Sequence, residues 1–367
     1  MITTGDKQNQ KAGDNSQQLQ ATNMTVIVGI DEKRAREICE EMTQQLRKDY
    51  SAEALKIAIS RVSEFENKLM PKMETIDGAL EAFGDPSFQL LLVEAQKTAA
   101  SSERPEDYDL LAELLIHRFQ KGENRIARAG ISRAVKIVDE ISDEALLGLT
   151  VFHSALQFGP TQGGVREGLE VLNNLFGEII YDKLPVGNDW IDHLEILDAV
   201  RINNFGNLKK MHEYYPTGLN GYVDVGIKKN SDDHLKAIDI LKSQSLGTEI
   251  LVEHELNNGF IRLKLFDESS VDTLQILQRD YFGNKVIPLS DIQTDAMKSI
   301  YNLYVKDESI KQQNVNQLMI EWNKFPHLKT VREWWDSIAL SFQITSVGKV
   351  LAHSNAQRCD SRLPPLD

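Results

Sequence analysis

Apolar residues recur in steps of three and four between residues 31 and 83, and this spacing restricts the segment to helices with one apolar face. Asp31 and Ser51 each precede a stretch of this pattern and are suitable helix N-caps. Pro71 predicts a kink or a break just before it. The pattern is typical of a long coiled-coil helix, and two ordinary helices packed on their own domain are the alternative. We therefore expect a helical or coiled-coil segment over residues 30–83.

The residues before this segment form a polar head, in which Gly5 and Gly13 each begin a Gly-Asp unit. A β-branched run over residues 25–28 closes the head. Residues 1–29 are too polar and too short to bury a core alone, so they form either a disordered tail or a segment that orders against copies of itself. We favour the second interpretation and predict self-association through residues 13–83.

Helical spacing continues over most of the chain. It predicts a mostly α fold, a helical bundle with a long N-terminal helix and a minor β component in the C-terminal half. Residues 84–246 are predicted to form a helical domain, and residues 247–367 an α+β domain. Within the helical domain, caps and apolar spacing predict helices over about 86–101, 105–120, 123–141, 143–157 and 165–181.

The apolar period changes after residue 248. Two apolar runs are joined by Asn257, Asn258 and Gly259, which predicts a β-hairpin over residues 249–266 with Asn258 and Gly259 in left-handed conformations. A helix is expected over about 270–281 and a strand over about 340–344. Together these elements allow a winged-helix-like arrangement, although the last strand lies far from the hairpin in sequence.

The charge balance restricts the classes of partner. The chain has 367 residues and a formal net charge of −14, which disfavours binding to nucleic acid. Its two cysteines, Cys39 and Cys359, suit a reducing compartment and form neither a disulfide framework nor a zinc cluster. No apolar run is long enough to span a bilayer, and no secretory signal pattern is evident. We expect a cytoplasmic protein without a cofactor.

The common phosphate-binding, dinucleotide-binding, nucleophile-elbow and zinc-protease motifs do not occur in the sequence. Among the remaining groups, Asp189, Asp192 and His193 share one face of a predicted helix and are our catalytic candidates. Carboxylates and an imidazole can bind a divalent cation. The alternative is a helix cap followed by solvated charges, and we predict no dedicated metal site.

Two pairs of residues are candidates for binding. Arg125 and Arg128 lie three positions apart and could bind a phosphate or a partner carboxylate, whereas ion pairing within the chain, for example with Glu113, is the alternative. In the predicted terminal helix, Asn355 and Arg358 could bind a ligand. The alternative for this helix is a structural lock, in which both side chains bond to neighbouring groups.

Two other features favour structural roles. Glu253, His254 and Glu255 alternate between the faces of a predicted strand, which is typical of a solvated edge. Trp334 and Trp335 are the densest aromatic feature, and the acidic residues beside them favour core packing over base stacking.

The two ends of the chain, GDKQNQKAGDNSQQLQA and ITSVGKVLAHSNAQRCDSRLPPLD, resemble a bacterial family carried under locus-tag names, the LPO/Vpar type. The middle segments DPSFQLLLVEAQKTAASSERPEDYDLLAELLIHRFQKGENR and LPVGNDWIDHLEILDAVRI are similar to it as well. The resemblance covers nearly the whole chain and implies no particular activity. The Gly-Asp-Asn-Ser head is also similar to heads of bacterial conflict and phage-defence proteins, which implies a defence setting.

Our leading hypothesis is a homo-oligomeric interaction or sensor protein in bacterial defence, which binds a protein partner. The head and the first helix would set the assembly, and the C-terminal half would recognise the partner. A metal-dependent hydrolase that uses Asp189, Asp192 and His193 is the first alternative, and a winged-helix DNA-binding regulator is the second. The sequence does not decide whether the chain is an enzyme, and we favour a protein without enzymatic activity.

Deletion of residues 1–29 should convert an oligomer into a smaller species, because the head is expected to supply the contacts between copies. Light scattering on the full-length and the truncated chain measures this change in mass. A monomeric full-length chain would contradict the hypothesis.

Overall fold

A computed structural model describes residues 30–44, 50–122, 124–203, 205–280 and 283–366, so the polar head lies outside the described residues. In these ranges the α-helices are α1 (Glu32–Thr43), α2 (Ala52–Glu74), α3 (Pro86–Ser101), α4 (Pro105–Gln120), α5 (Arg125–Lys136), α6 (Asp143–Gln157), α7 (Val165–Ile179), α8 (Asp189–Ile196), α9 (Met211–Gly218), α10 (Asn220–Val223), α11 (Asp232–Ser243), α12 (Asp291–Tyr301), α13 (Glu308–Trp322), α14 (Pro326–Ser337) and α15 (Ser346–Cys359). Short 3-10 segments cover Ala79–Gly84, Thr248–Ile250 and Glu268–Thr273.

The strands form small antiparallel sheets. They are β1 (Val200–Asn203), β2 (Ile227–Lys228), β3 (Leu251–Glu253), β4 (Phe260–Leu263), β5 (Gln275–Asp280), β6 (Gly283–Pro288) and β7 (Ser341–Ile344). In the described residues β1 pairs with β7, the order β2-β4-β3 forms a second sheet, and β5 pairs with β6. The mostly α fold with a minor β component is therefore confirmed. Of the helices described, none is both long and apolar enough to cross a bilayer.

The apolar pattern between residues 31 and 83, which we call the N-terminal stripe, folds as two helices. The side chain of Asp31 accepts from the N–H of Arg34, and Ser51 caps α2 in the same way, as the sequence predicted. The long continuous helix is wrong, because α1 ends at Thr43 and α2 begins at Ala52. Pro71 does not end α2, which continues to Glu74. The proline costs the hydrogen bond that its missing N–H would donate, and a kink there would displace only the last turn of the helix.

The apolar face of these two helices is buried against their own chain. Phe65 and Leu69 of α2 have no exposed surface, and α2 packs on α3 and α4. Cys39 is 1% exposed and belongs to the same core, so it does not lie on a surface available to a second copy. The stripe that suggested a coiled coil is thus used for packing within the chain.

The last helix, α15, lies inside the bundle and packs on α4, α5 and α6. From Val347 to Ala356 every residue except Lys349 is buried. Gly348 allows this depth, since a Cβ atom there would lie 2.1 Å from the backbone oxygen of Ala199. The preceding strand β7 pairs with β1 and not with the hairpin, so the strand and the hairpin do not form the winged-helix sheet considered from the sequence.

A second hydrophobic core is formed by residues between 227 and 300, including Ile227, Leu241, Ile261 and Met297. The helices α13 to α15 return to the first core. The chain enters the second core near Gly226 and leaves it near Val305. These two points lie side by side, and the N–H of Val305 donates to the oxygen of Gly226 at 2.8 Å. The domain division at residue 247 stays a prediction.

The hairpin between β3 and β4 is present, with Leu251 opposite Leu263. Its predicted turn geometry is wrong, since Asn258 and Gly259 are not among the described residues with positive φ. The Oδ1 atom of Asn257 instead accepts from the N–H of Gly259 at 3.3 Å, so a side chain stabilises this turn.

The helix predicted over about 270–281 is also wrong. A 3-10 segment, begun by a capping box between Asp267 and Ser270, leads into strand β5. Ile276 and Leu277 of β5 lie opposite Ile287 and Val286 of β6. Pairing with a β-branched partner strand therefore overrides the helical spacing of this segment.

Arg262 joins the two cores. The residue is 1% exposed, and Nη1 donates to the backbone oxygens of Gly221 at 3.2 Å and of Leu265 at 3.1 Å. Nη2 donates to the oxygen of Gly163, and the group lies 5.6 Å from the ring centroid of Tyr222. Burial lowers the pKa of Arg262, because removal from water disfavours the charged form.

Replacement of Arg262 by lysine should reduce the free energy of unfolding by about 3 kcal/mol or more. A single ammonium group cannot serve all these carbonyl groups, and hydrogen bonds to charged groups contribute about 1.5–3 kcal/mol each. Chemical denaturation measures the loss, with Arg166→Lys at an exposed site as the control. Equal stability of the two variants would show that Arg262 does not join the cores.

Candidate functional site

The predicted catalytic candidates lie on α8. The Nε2 atom of His193 accepts from the N–H of Ser142 at 3.2 Å, so this imidazole binds the start of α6. Asp189 and Asp192 are exposed. Within the described ranges, no group of three or more His, Cys, Asp or Glu residues could hold a metal ion. A catalytic role for these residues stays a prediction without geometric support.

The predicted arginine pair lies at the start of α5. Arg125 is exposed, whereas the Nη2 atom of Arg128 donates to the hydroxyl of Ser87 at 2.5 Å. Glu113, one expected partner, binds the ammonium of Lys72 at 2.5 Å. Arg125 therefore faces the solvent, whereas Arg128 contacts α3. A role of the pair in binding stays a prediction.

Asn355 and Arg358 belong to the packing of α15. Asn355 is fully buried and its Nδ2 atom donates to the hydroxyl of Thr150 at 2.8 Å. Its Oδ1 atom accepts from Nε of Arg358 at 2.8 Å, and the guanidinium of Arg358 lies 5.3 Å from the ring centroid of Tyr181. These contacts favour the structural lock over ligand binding by Asn355.

The segment Glu253–Glu255 does not form a solvated edge. Glu253 binds Lys229 in an exposed ion pair, while His254 is fully buried and hydrogen-bonds to the backbone oxygen of Asp224 at 2.8 Å. Glu255 extends to the first turn of α7, where its carboxylate accepts from the N–H of Val165 at 2.9 Å. It therefore stabilises a helix N-terminus that belongs to the other core.

A string of buried polar side chains follows α15 through the bundle. The hydroxyl of Ser354 lies 3.0 Å from Nδ1 of His117, and Nε2 of His117 lies 2.6 Å from Oε1 of Gln357. Farther along, Nδ1 of His353 lies 3.3 Å from Nε2 of His153. The string connects α15 to both α4 and α6.

The hydrogen bonds assign the tautomers of two histidines. Nε2 of His353 lies 2.8 Å from the backbone oxygen of Pro364, which can only accept, so this nitrogen carries a proton. In its neutral form His353 then accepts at Nδ1, and Nε2 of His153 donates to it. The remaining ring nitrogen of His153, Nδ1, can accept a proton or a hydrogen bond and has no partner among the described residues.

His153 connects this string to a groove on the surface, which we call the lysine groove. The groove has a volume of about 530 Å³. It is lined by Phe152, His153, Leu156, Gln157, Asn207, Leu208, Lys209, Tyr214, Trp335, Ser341, Phe342, Gln343, Ile344 and Lys349. These residues come from α6, the segment before α9, α9 itself, α14, β7 and α15.

The floor of the lysine groove is aromatic. The ring of Trp335 stacks between Phe152 and Tyr214, with centroid distances of 4.6 and 5.3 Å. Phe342 lies 4.4 Å from Phe152 in the same cluster. The indole N–H of Trp335 donates to the oxygen of Lys209 at 2.8 Å, which fixes the segment before α9 at the rim. The expected burial of Trp335 is confirmed, at 1% exposure.

The charged groups of the groove are all basic. Lys209 and Lys349 are exposed, and neither forms an ion pair with any residue that the structure describes. None of the described lining residues carries a carboxylate. Burial is the main cause that lowers the pKa of His153 to about 4, and the neighbouring His353 and Lys349 lower it further. The local potential is therefore positive in a chain whose net charge is −14.

Sequence reasoning did not identify this groove. Lys209, His153 and Lys349 lie far apart in the sequence and match no motif. Trp335 was recognised, but only as a core residue. The one usable clue was Lys349, a charge next to Gly348 in a helix that must otherwise be buried.

The fold and the site define a mostly α protein with a second, β-containing core and a basic surface groove. One family model matches residues 29–361 of the chain, which belongs to this family. The family is known by a locus tag and not by an activity, which agrees with the resemblance seen in the sequence. Residues 1–28 of the head lie before the matched range. Comparison with curated proteins found no match, and neither did comparison with solved structures.

The buried histidines predict that acid destabilises the fold. Burial lowers the pKa of His117 to about 4, from an ordinary value of 6.5. Between these values the unfolded chain binds more protons than the folded chain, so stability falls as the pH decreases below about 6.5. The variant His117→Gln should lack this pH dependence. Between pH 7.5 and pH 5 its free energy of unfolding should therefore fall by about 2 kcal/mol less than that of the parent.

Denaturant unfolding at both pH values measures this difference, and comparison with the parent cancels the effect of other titrating groups. His212→Gln, which replaces an exposed histidine on α9, is the matched control and should behave as the parent. The same acid sensitivity in His117→Gln and the parent would show that His117 is not held neutral.

Proposed function

We propose that the protein is a ligand-binding sensor protein and that the lysine groove takes a small organic acid. The single observation behind this proposal is the pair of ammonium groups, Lys209 and Lys349, without ion-pair partners in the described residues, above an aromatic floor. Binding sites commonly combine an apolar lining with a few convergent polar groups. The volume of about 530 Å³ suits a small molecule.

Each part of the groove has a role in this binding. The lysines attract and hold the carboxylate or phosphate of the ligand, because charge-assisted hydrogen bonds are stronger than neutral ones. The aromatic floor removes the apolar part of the ligand from water. Nδ1 of His153 can accept a hydrogen bond from the ligand, and the hydrogen bond between Nε2 of His153 and His353 connects that contact to α15.

This proposal retains the sensor half of the hypothesis derived from the sequence. Self-association through residues 13–83, a protein partner and a setting in bacterial defence are also proposals, and the truncation experiment above tests the first. Burial of the α2 stripe within the chain means that assembly would have to use the head or another surface. No observation favours the metal-dependent hydrolase or the DNA-binding regulator.

Calorimetric titration with 2-naphthoate and with 2-naphthyl phosphate tests the proposed function and distinguishes a carboxylate from a phosphate ligand. The double variant Lys209→Gln/Lys349→Gln should weaken binding of the preferred probe about tenfold or more, since two charge-assisted contacts are lost. The variant Lys56→Gln/Lys242→Gln removes the same charge from exposed lysines elsewhere and should bind as the parent.

Failure of the parent to bind either probe at millimolar concentration would overturn the proposal. Equal affinity of the two double variants would show that binding occurs outside the lysine groove.

A further inference from the structure

A second cavity adjoins the lysine groove. It has a volume of about 340 Å³ and lies between the end of α6, the following residues and α9. Leu156, Gln157 and Tyr214 line both cavities, so the two share one wall. We call the second one the α9 cavity.

The two cavities differ in charge. No charged side chain is among the described residues that line the α9 cavity, and Phe158, Leu219 and Phe266 give it apolar walls. The lysine groove holds two ammonium groups. Together the two cavities are therefore basic at one end and neutral and apolar at the other, which is the complement of an amphipathic acid.

We propose that the ligand is an organic acid with an apolar arm, whose acid group binds in the lysine groove and whose arm crosses Leu156 and Tyr214 into the α9 cavity. This inference rests on the proposed function and specifies the class of ligand. Leu156 is 43% exposed, so an arm that covered it would remove apolar surface from water.

The α9 cavity offers a position at which it can be filled without disturbing the fold. Gly218 is the last residue of α9 and lines the cavity. A Cβ atom at this position would have no heavy atom within 4 Å, and its backbone is not left-handed. A leucine at residue 218 would therefore extend from the lining of the α9 cavity into open space, where it is expected to compete with the arm.

Titration with straight-chain carboxylates from butanoate to decanoate tests the arm. In the parent, affinity should rise by about three- to fourfold for each added methylene group, until the cavity is filled. In Gly218→Leu the rise should stop at a shorter chain, whereas the affinity for butanoate should stay as in the parent. Gln120→Leu, at the exposed last residue of α4, is the matched control and should follow the parent throughout.

The outcomes separate the two proposals. Two results would overturn the proposal that the arm binds in the α9 cavity, while leaving the proposed binding in the lysine groove unaffected. These are no increase in affinity with chain length, or an equal loss of affinity at all chain lengths in Gly218→Leu. The same increase in Gly218→Leu and the parent would place the arm elsewhere and also overturn it. Binding that does not depend on Lys209 and Lys349 would overturn the proposed function itself.

Discussion

The fold depends on the enclosure of α15 by α4, α5 and α6. This helix carries His353, Ser354 and Asn355 at its most buried part. A buried polar group without a partner costs about 1–3 kcal/mol, so the surrounding helices must supply hydrogen bonds at matching heights. They do so through His117 of α4 and Thr150 of α6. These contacts fix the rotation of α15 more strictly than apolar packing alone would.

The same rotation creates the surface groove. With its other sides enclosed, α15 directs Lys349 to the solvent, beside the aromatic cluster of Phe152, Trp335 and Tyr214. His153 belongs both to the buried polar string along α15 and to the lysine groove. Its ring hydrogen-bonds to His353 and also lines the groove. A change in the protonation of His153 would therefore act directly on a hydrogen bond of the helix that organises the bundle.

The parts of the fold that depend on local sequence could be predicted. Asp31 and Ser51 cap helices as expected, because an N-cap needs only residues within one turn. The partner against which the apolar face of α2 packs could not be predicted. The same spacing suits packing against a second copy or against other helices of the chain. The groove could not be predicted either, because Lys209 and Lys349 lie 140 positions apart in the sequence and only tertiary packing brings them to one groove.

The segment that builds the second core begins and ends at one place, where Val305 donates to Gly226. A segment with adjoining ends can be lengthened, exchanged or lost during evolution without opening the protein that carries it. Because its two ends adjoin, the segment can vary in length between Gly226 and Val305 while α15 keeps its place among α4, α5 and α6.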